Sequence, residues 1–437
     1  MIYPHCPIQV STSSASSLLR IVFDQITQGQ LEFVELDQHF DTIQIGEGED
    51  KREYTIFSGK TEMEAHLKNQ FPDDVTAIET FYKIMKVLSF FSSGALLLIP
   101  QWLALFLLKS GITNLCSSIY TLSGTGTFTS SSVTSSTVLG LNVLDSIVLH
   151  SRLNYTIPFH YFSIILYIFR IIFYRGAYYP KGGASEISYH IIPVIQKSGG
   201  NVLVRAPVTQ ILVNNDGAAY GVKVRKGQEE VEVHAPTQTK PDIQERLDMT
   251  KHGRGSLLVF SGFDGTQEEL GIVSTNFWLF KKNDMDGSLV SLMHHHSRKS
   301  CMTMLTMVKY ECFEEWTDTS VRKRGDDYTN YKMKFCILSL CVTLRPPPLT
   351  YMHYLGAQRG AMYSAEHNLG RFHAEAVARN HCSTPVKNLF ISGQDVFSCG
   401  IAGALHGGLL CASTVLDHIV YINLLFLKKK QKDGQAG

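Results

Sequence analysis

The sequence predicts an α/β protein of two parts, and three observations predict it. The 437 residues exceed one ordinary domain, so two interleaved or consecutive domains with a large core are expected. A helical pattern over 185–198 leads into short alternating strands that run to His234. Near the carboxyl end, residues 389–410 read as a short apolar strand, a polar turn and a small-residue helix start, in that order.

Composition narrows the classes of function. Lys plus Arg is 40 against Asp plus Glu at 39, a formal net charge of +1, so no field draws in nucleic acid or acidic partners. Charged residues are 18% and apolar residues 44%. That charged share is below the roughly 25% of soluble domains and leans toward contact with a membrane surface. The nine cysteines (6, 116, 301, 312, 336, 341, 382, 399, 411) are scattered without a C-x-x-C pair. They read as reduced thiols in a core, not as a disulfide framework or a zinc site. The opening Met-Ile-Tyr-Pro-His-Cys-Pro lacks a basic region followed by an apolar core, so no secretory leader is expected.

Residues 1–20 are rich in Ser and Thr and read as a disordered tail. A helical pattern from Ile21 and strict alternation over 30–36 predict a helix and then a strand. Strands are predicted over 40–45 and 53–57, separated by the charged turn 46–52, which makes this an α+β region. Residues 88–108 carry no charge and are long enough to span a bilayer. Pro100, with Gln101 and Trp102 beside it, favours instead a kinked interfacial helix or a tunnel lining. The Ser/Thr/Gly stretch 121–137 reads as a connection, and the apolar run 155–174 is interrupted by Pro158, His160 and Arg170.

The loop 174–184 turns into a helix capped near Ser185 and ended by Gly199-Gly200. Strands are then predicted over 201–204, 206–213, 219–224 and 230–234, with turns at 214–217 and 226–227. Helix, strand and meander together form a piece of a two-layer or three-layer α/β domain.

The carboxyl-terminal motif carries the chemistry. Gly393 and Asp395 follow the short strand 389–391, and Gly400, Gly403, Gly407 and Gly408 let a helix begin close to something bulky. A helix N-terminus presents unpaired N–H groups to a phosphate or an electron-rich ring. Asp395 suits a carboxylate accepting hydrogen bonds from sugar or ribityl hydroxyls. The same glycines are equally explained by close packing alone, and both readings stay open. Three adjacent histidines, 294–296, point in different directions, so a solvated loop is expected there and no metal site. Glu311, Glu314 and Glu315 beside Trp316 read as a charged helix face. Tyr363, Glu366 and His367 are candidates to line a cavity, with a core or surface role equally open. The tail, an apolar helix running into Lys428, Lys429, Lys430 and Lys432, suits a helix end or an anionic membrane face.

Three stretches, Tyr179-Pro-Lys-Gly-Gly-Ala-Ser-Glu-Ile, Gly199-Gly-Asn-Val-Leu-Val-Arg-Ala-Pro-Val-Thr-Gln-Ile and Asn388-Leu-Phe-Ile-Ser-Gly-Gln-Asp-Val-Phe-Ser-Cys-Gly-Ile-Ala-Gly-Ala-Leu, carry a resemblance. In order and spacing they resemble the carotenoid-desaturase and isomerase type of flavoprotein oxidoreductase, over about two thirds of the chain with supporting stretches. The resemblance implies a flavin-dinucleotide-binding domain, Rossmann-like and three-layered, with an interleaved α+β substrate domain. It implies FAD as cofactor, NAD or NADP as electron donor, and a retinoid or other polyene lipid as substrate. It also implies work at the endoplasmic reticulum membrane. Carried over position by position, Gly182 and Gly183 would lie near the isoalloxazine, and Val208 would touch the adenosine end through its backbone. Gly393 and Asp395 would bind the ribityl–pyrophosphate part. Gly400, Ile401, Ala402, Gly403 and Ala404 would present amides to the ring.

On this basis 1–20 is expected to be a tail and 21–172 a substrate and membrane-associated region. Residues 173–240 would be flavin domain, 241–384 substrate domain, 385–425 the flavin domain's last part and 426–437 a basic tail. The family opens with a strand, a G-x-G-x-x-G turn and a helix, and no such unit occurs here before Phe23. The flavin domain is therefore expected to lack its first βαβ unit, as in a truncated or alternatively spliced relative. Two further departures are the run after His234-Ala-Pro, where the family returns to its flavin domain, and residues 335–348. Two functions remain open: saturation of one double bond of a retinoid-like polyene, or an inactive relative acting as a lipid-associated or partner-binding protein.

Overall fold

The computed structural model describes residues 18–82, 178–234, 252–334 and 343–434, apart from short breaks within those stretches. The predicted interfacial element 88–108, the connection 121–137 and the run 155–174 lie outside the described residues. Within them the protein is mixed helix and sheet, in keeping with the α/β class the sequence predicts.

Helix α1 (Leu18–Ile26) begins inside the stretch expected to be a tail, because Leu19 already packs in a core. Its side chains Ile21, Val22 and Phe23 are fully or almost fully buried. β1 (Phe33–Glu35) follows, shorter than the alternation predicts. β2 (Asp41–Ile45) and β3 (Arg52–Ile56) form the expected antiparallel pair around the charged turn, which tightens into a 3-10 turn at Gly48–Asp50. α2 (Glu62–Gln70) buries Met63 and Leu67.

After the break, β4 (Tyr178–Pro180) pairs antiparallel with β1, and α3 (Ser185–Lys197) follows. The N-cap of α3 is Ala184 with no side-chain cap, one residue before the predicted Ser185. The backbone explains this: Gly183 N donates to Pro180 O at 2.9 Å and Glu186 N to Gly183 O at 3.1 Å, so the turn itself starts the helix. Gly199, at φ +82°, ends it as expected. β5 (Val208–Val213), β6 (Ala219–Lys226) and β7 (Glu229–His234) make a three-stranded antiparallel sheet. The Asn214 side chain closes the β5–β6 turn by accepting from Asp216 N and Ala218 N. The strand predicted over 201–204 does not form. Arg205 at φ +53° breaks the extended backbone, and Leu203 and Val204 stay more than 60% exposed with no ladder partner among the described residues.

β8 (Gly255–Phe263), β9 (Asn276–Phe280), β10 (Leu289–His296), β11 (Lys299–Val308) and β12 (Thr343–Leu344) join β2 and β3 in a seven-stranded sheet of order β12-β8-β11-β10-β9-β2-β3. β2 pairs parallel with β9, so chain from residue 41 and chain from residue 276 share one sheet. The expected loop at 294–296 is instead the end of β10, with His294 opposite Cys301 and His296 opposite Lys299. A tight hairpin forces the extended backbone there. α4 (Gly325–Lys334) and α5 (Pro348–Leu355) cover the sheet through Leu257, Val259, Val308, Phe313, Tyr328 and Leu349. Glu311, Glu314 and Glu315 lie on two 3-10 turns and not on one helix face.

The last elements are α6 (Gly400–Val415) and α7 (Val420–Gly434), and α7 runs through much of the segment expected to be a basic tail. Among the described residues no single helix is long and apolar enough to cross a membrane; α6 with the first part of α7 passes such a test only as a pair bent by 118°. Gly403, Gly407 and Leu410 of α6 are buried inside the protein.

Candidate functional site

The site is built where two segments far apart in sequence meet. The turn after β4 carries Gly182 at φ +89° and Gly183 at φ +105°, conformations an L side chain resists. Ala184 and Ile187, which follow that turn, pack against buried Phe23 and Leu31, as do Ile401 and Leu405 of α6. The Gly182–Gly183 turn and the N-terminus of α6 therefore share one cluster.

The expected strand over 389–391 is reduced to a bridge between Ser383 and Phe390, flanked by Ile391 N donating to Cys382 O at 2.9 Å. Asn388, at φ +63°, stops the ladder on one side, and the polar turn starts at once on the other. That turn is a 3-10 segment, Gly393–Asp395, with Gly393 at φ +84°. Arg371 and Asn380 hold it from behind: Arg371 Nη2 donates to the Gln394 and Asp395 carbonyls, and Asn380 Nδ2 donates to Asp395 O at 2.6 Å and Val396 O at 3.2 Å.

Asp395 is half-buried, and its Oδ1 accepts from Ala365 N at 3.2 Å. Ala365 also bridges His252, so the carboxylate is tied to the strap that leads into β8. Oδ2 of Asp395 is left for another donor among the described residues.

α6 lies on this turn backbone to backbone. A Cβ on Gly403 would overlap Ser398 O, and one on Gly407 would overlap Gly393 O. These two glycines serve packing. Gly393 and Gly400, the latter at φ +77°, instead face open space, as does Gly183. Close packing thus accounts for Gly403 and Gly407 but not for Gly393 and Gly400. Among the described residues Gly400 N reaches only Gln394 Oε1, at 3.4 Å, and Ala402 is exposed, so there the first turn of a 16-residue helix is open to a ligand. Ile401 and Ala404 are half-buried beside it. Open backbone at Gly183, Gly393 and Gly400, helix N–H donors and a spare carboxylate oxygen fit a ligand that carries hydroxyls or phosphates and a flat ring.

Val208 does not join this cluster. It lies on β5, 56% exposed, at the edge of the three-stranded sheet. That sheet is anchored to the site through Ala219 N donating to Lys387 O at 2.7 Å and Asn388 Nδ2 to Ala219 O at 3.2 Å. Tyr363 and Glu366 sit on the strap beside Ala365, and His367 lies outside the described residues.

Several residues of the site carry no local sequence signal. Arg371 and Asn380 belong to no motif that the sequence singles out. His406, one turn and a half into α6, stacks on Phe397 with ring centroids 5.0 Å apart and donates from Nδ1 to Ala402 O at 2.6 Å. Burial pushes its imidazole below the usual range.

No family model matches the chain. Among solved structures, a putrescine oxidase bound to putrescine aligns at 13% identity and a TM-score of 0.47, over 93% of this chain and 87% of that one. A cyclohexylamine oxidase from Brevibacterium oxydans IH-35A aligns at 12% and 0.47, over 93% and 86%. Curated relatives are much nearer in sequence. The inactive all-trans-retinol 13,14-reductase of Danio rerio is 39% identical over 95% of this chain and 78% of its own. The all-trans-retinol 13,14-reductases of Danio rerio and Homo sapiens are 33% and 31% identical, over 95% and 93% of this chain and 78% and 77% of theirs. With identities above 30% sustained over more than nine tenths of its length, the chain belongs to the all-trans-retinol 13,14-reductase, or retinol saturase, family.

Proposed function

We propose that the chain is a flavin-dependent oxidoreductase that saturates one double bond of a retinoid or related conjugated polyene, with NADH or NADPH as the electron source. The observation that carries the proposal is the cradle of Gly393–Asp395 and the N-terminus of α6, open to a ligand at Gly393 and Gly400, in a member of this family. In the proposed arrangement Asp395 would accept from ribityl hydroxyls, and the unpaired N–H groups in the first turn of α6, within the 400–404 segment, would hold the flavin. Gly182 and Gly183 would allow a close approach of backbone to the flavin, and the Val208 backbone would meet its adenosine end. A bound flavin would supply hydride transfer between nicotinamide and polyene. The protein's own part is to hold ring and polyene face to face and to keep water away. The apolar stretch 88–108 is proposed to line the polyene's path from the endoplasmic reticulum membrane.

One observation favours a second reading, a non-catalytic lipid-associated or partner-binding relative. The chain is 39% identical to the relative named inactive and 31–33% to those named as reductases.

The experiment that separates the two is the visible absorption of the purified chain after excess FAD and desalting, followed by retinol turnover with NADPH. Retained flavin bands and a dihydroretinol product support the enzyme. A flat spectrum from folded protein leaves the binding role, and a retained flavin without turnover places the defect in the chemistry.

A further inference from the structure

The floor of the cradle holds two thiols that the proposed function does not use. Cys382 is buried at 1% exposure and packs with Val396 and Leu410, and Cys411 of α6 packs against the same cluster. Both are free cysteines, and they meet in this one packed cluster beneath the cradle turn. Cys382 belongs to the bridged segment that runs beside 389–391, and Cys411 lies within one helical turn of Gly407, whose backbone rests on Gly393. Ile391 and Phe397, on either side of the Gly393–Asp395 turn and its N-cap Ser392, pack against the same cluster. The pair thus joins the segment before the cradle to the helix after it.

We propose that Cys382 and Cys411 form a reversible dithiol–disulfide site that, when oxidised by a peroxide, covalently ties α6 to the segment beneath the cradle turn. The two thiols have different roles. Hydrogen bonds from Cys382 and Ser392 hold Cys411 below the ordinary thiol range, and the same contact together with burial pushes Cys382 up. Cys411 is also the more exposed of the two, so it is the sulfur that meets oxidant first.

The step balances without a further partner. The Cys411 thiolate attacks one peroxide oxygen, the O–O bond breaks, and the departing hydroxide takes up a proton as water, leaving a sulfenic acid. The Cys382 thiol gives up its proton as its sulfur attacks that of Cys411; the S–O bond breaks and a second water leaves. Two thiols have lost two electrons and two protons, and one peroxide has become two waters. A dithiol reductant reverses the bond by thiol–disulfide exchange.

The site does not depend on the flavin reading, since it needs only the packing of α6 on the 382–391 segment. The test is differential alkylation and peptide mapping of the full wild-type chain, treated first with dithiothreitol and then with graded hydrogen peroxide. The expected result is the loss of two alkylatable thiols, a cross-linked peptide pair containing Cys382 and Cys411, and full recovery of both thiols with dithiothreitol. In Cys382→Ala, Cys411 should pass to its sulfinic acid at the peroxide dose that gives the disulfide in wild type. A bond from either cysteine to Cys399 or to another position would overturn the proposal. So would unpaired over-oxidation of Cys411 in the wild-type chain, or two thiols that stay alkylatable under peroxide. Running the mapping with and without added FAD separates this outcome from that of the flavin test.

Discussion

At the scale of single residues, the glycines of α6 make opposite predictions from one helix. Gly407 has no room for a Cβ because Gly393 O occupies the space, whereas Gly408 has nothing within 4 Å. Gly407→Ala should therefore destabilise by about 1–3 kcal/mol, as overpacking against backbone does, and should distort the cradle turn. Gly408→Ala should stabilise by about 0.5–1 kcal/mol through helix propensity. Urea unfolding of the two variants beside wild type reads both signs, and equal effects would mean the packing of α6 on the turn is wrong. His406 gives a pH prediction. Its pKa is lowered in the folded protein, so below about pH 6.5, where a free imidazole titrates, the unfolded chain binds more protons than the folded one. Stability from this residue is complete above that pH, falls as pH drops toward the folded pKa, and then levels off. The difference in unfolding free energy between wild type and His406→Gln should shrink with acid over that window. A difference constant from pH 7.5 to 5 would contradict the burial of the ring.

At the scale of elements, the sequence was most legible where a periodic pattern has its own stop signals. The helix ended by Gly199, the turn closed by Asn214 and the small-residue start at Gly400 all appear where those residues place them. Legibility failed where a short apolar run depends on a partner that local sequence does not name. Residues 201–204 have strand composition and no neighbouring strand, and 389–391 find only one bridge before Asn388 turns away. The histidines at 294–296 show the reverse, since a hairpin partner makes strand out of residues that read as loop. The glycines and Asp395 of the cradle were visible, but Arg371 and Asn380, which hold the turn, were not, because a side chain bonding distant carbonyls leaves no periodic trace. Asn380 is accordingly the element-scale test. Asn380→Ala removes the donor to two carbonyls of a half-buried turn and should cost about 1–3 kcal/mol. Hydrogen exchange at residues 393–398 should rise in that variant while exchange in β8 stays unchanged. An equal rise in both would mean that Asn380 supports the whole protein and not the turn.

At the scale of the whole molecule, the described residues hold several buried cores, and two of them draw on distant parts of the chain. Leu257, Val259, Phe313 and Leu349 centre the core between the seven-stranded sheet and α4–α5. Ile21, Val22 and Leu424 centre the other, where the first and last described helices lie against each other and under α6. Neither core is continuous in sequence: β2 joins a sheet whose neighbour β9 lies more than 200 residues on, and α1 closes on α7. The strap 361–365 bridges Gly255 and His252 at the head of β8 and donates from Ala365 N to Asp395, which ties the candidate site to the seven-stranded sheet. A large-to-small change in one core should then loosen that core first. Leu424→Ala removes a side chain 4% exposed and should cost about 2–5 kcal/mol. Native-state hydrogen exchange should show protection lost together in α1, α6 and α7, with β8 and β11 retaining theirs. Paired with Ile21→Ala the effects should be non-additive, because the two side chains pack in one cluster. Paired with Leu257→Ala in the other core they should add. If Leu424→Ala released β8 as readily as α6, the chain would unfold as a single unit, and the cradle would owe its stability to both cores equally.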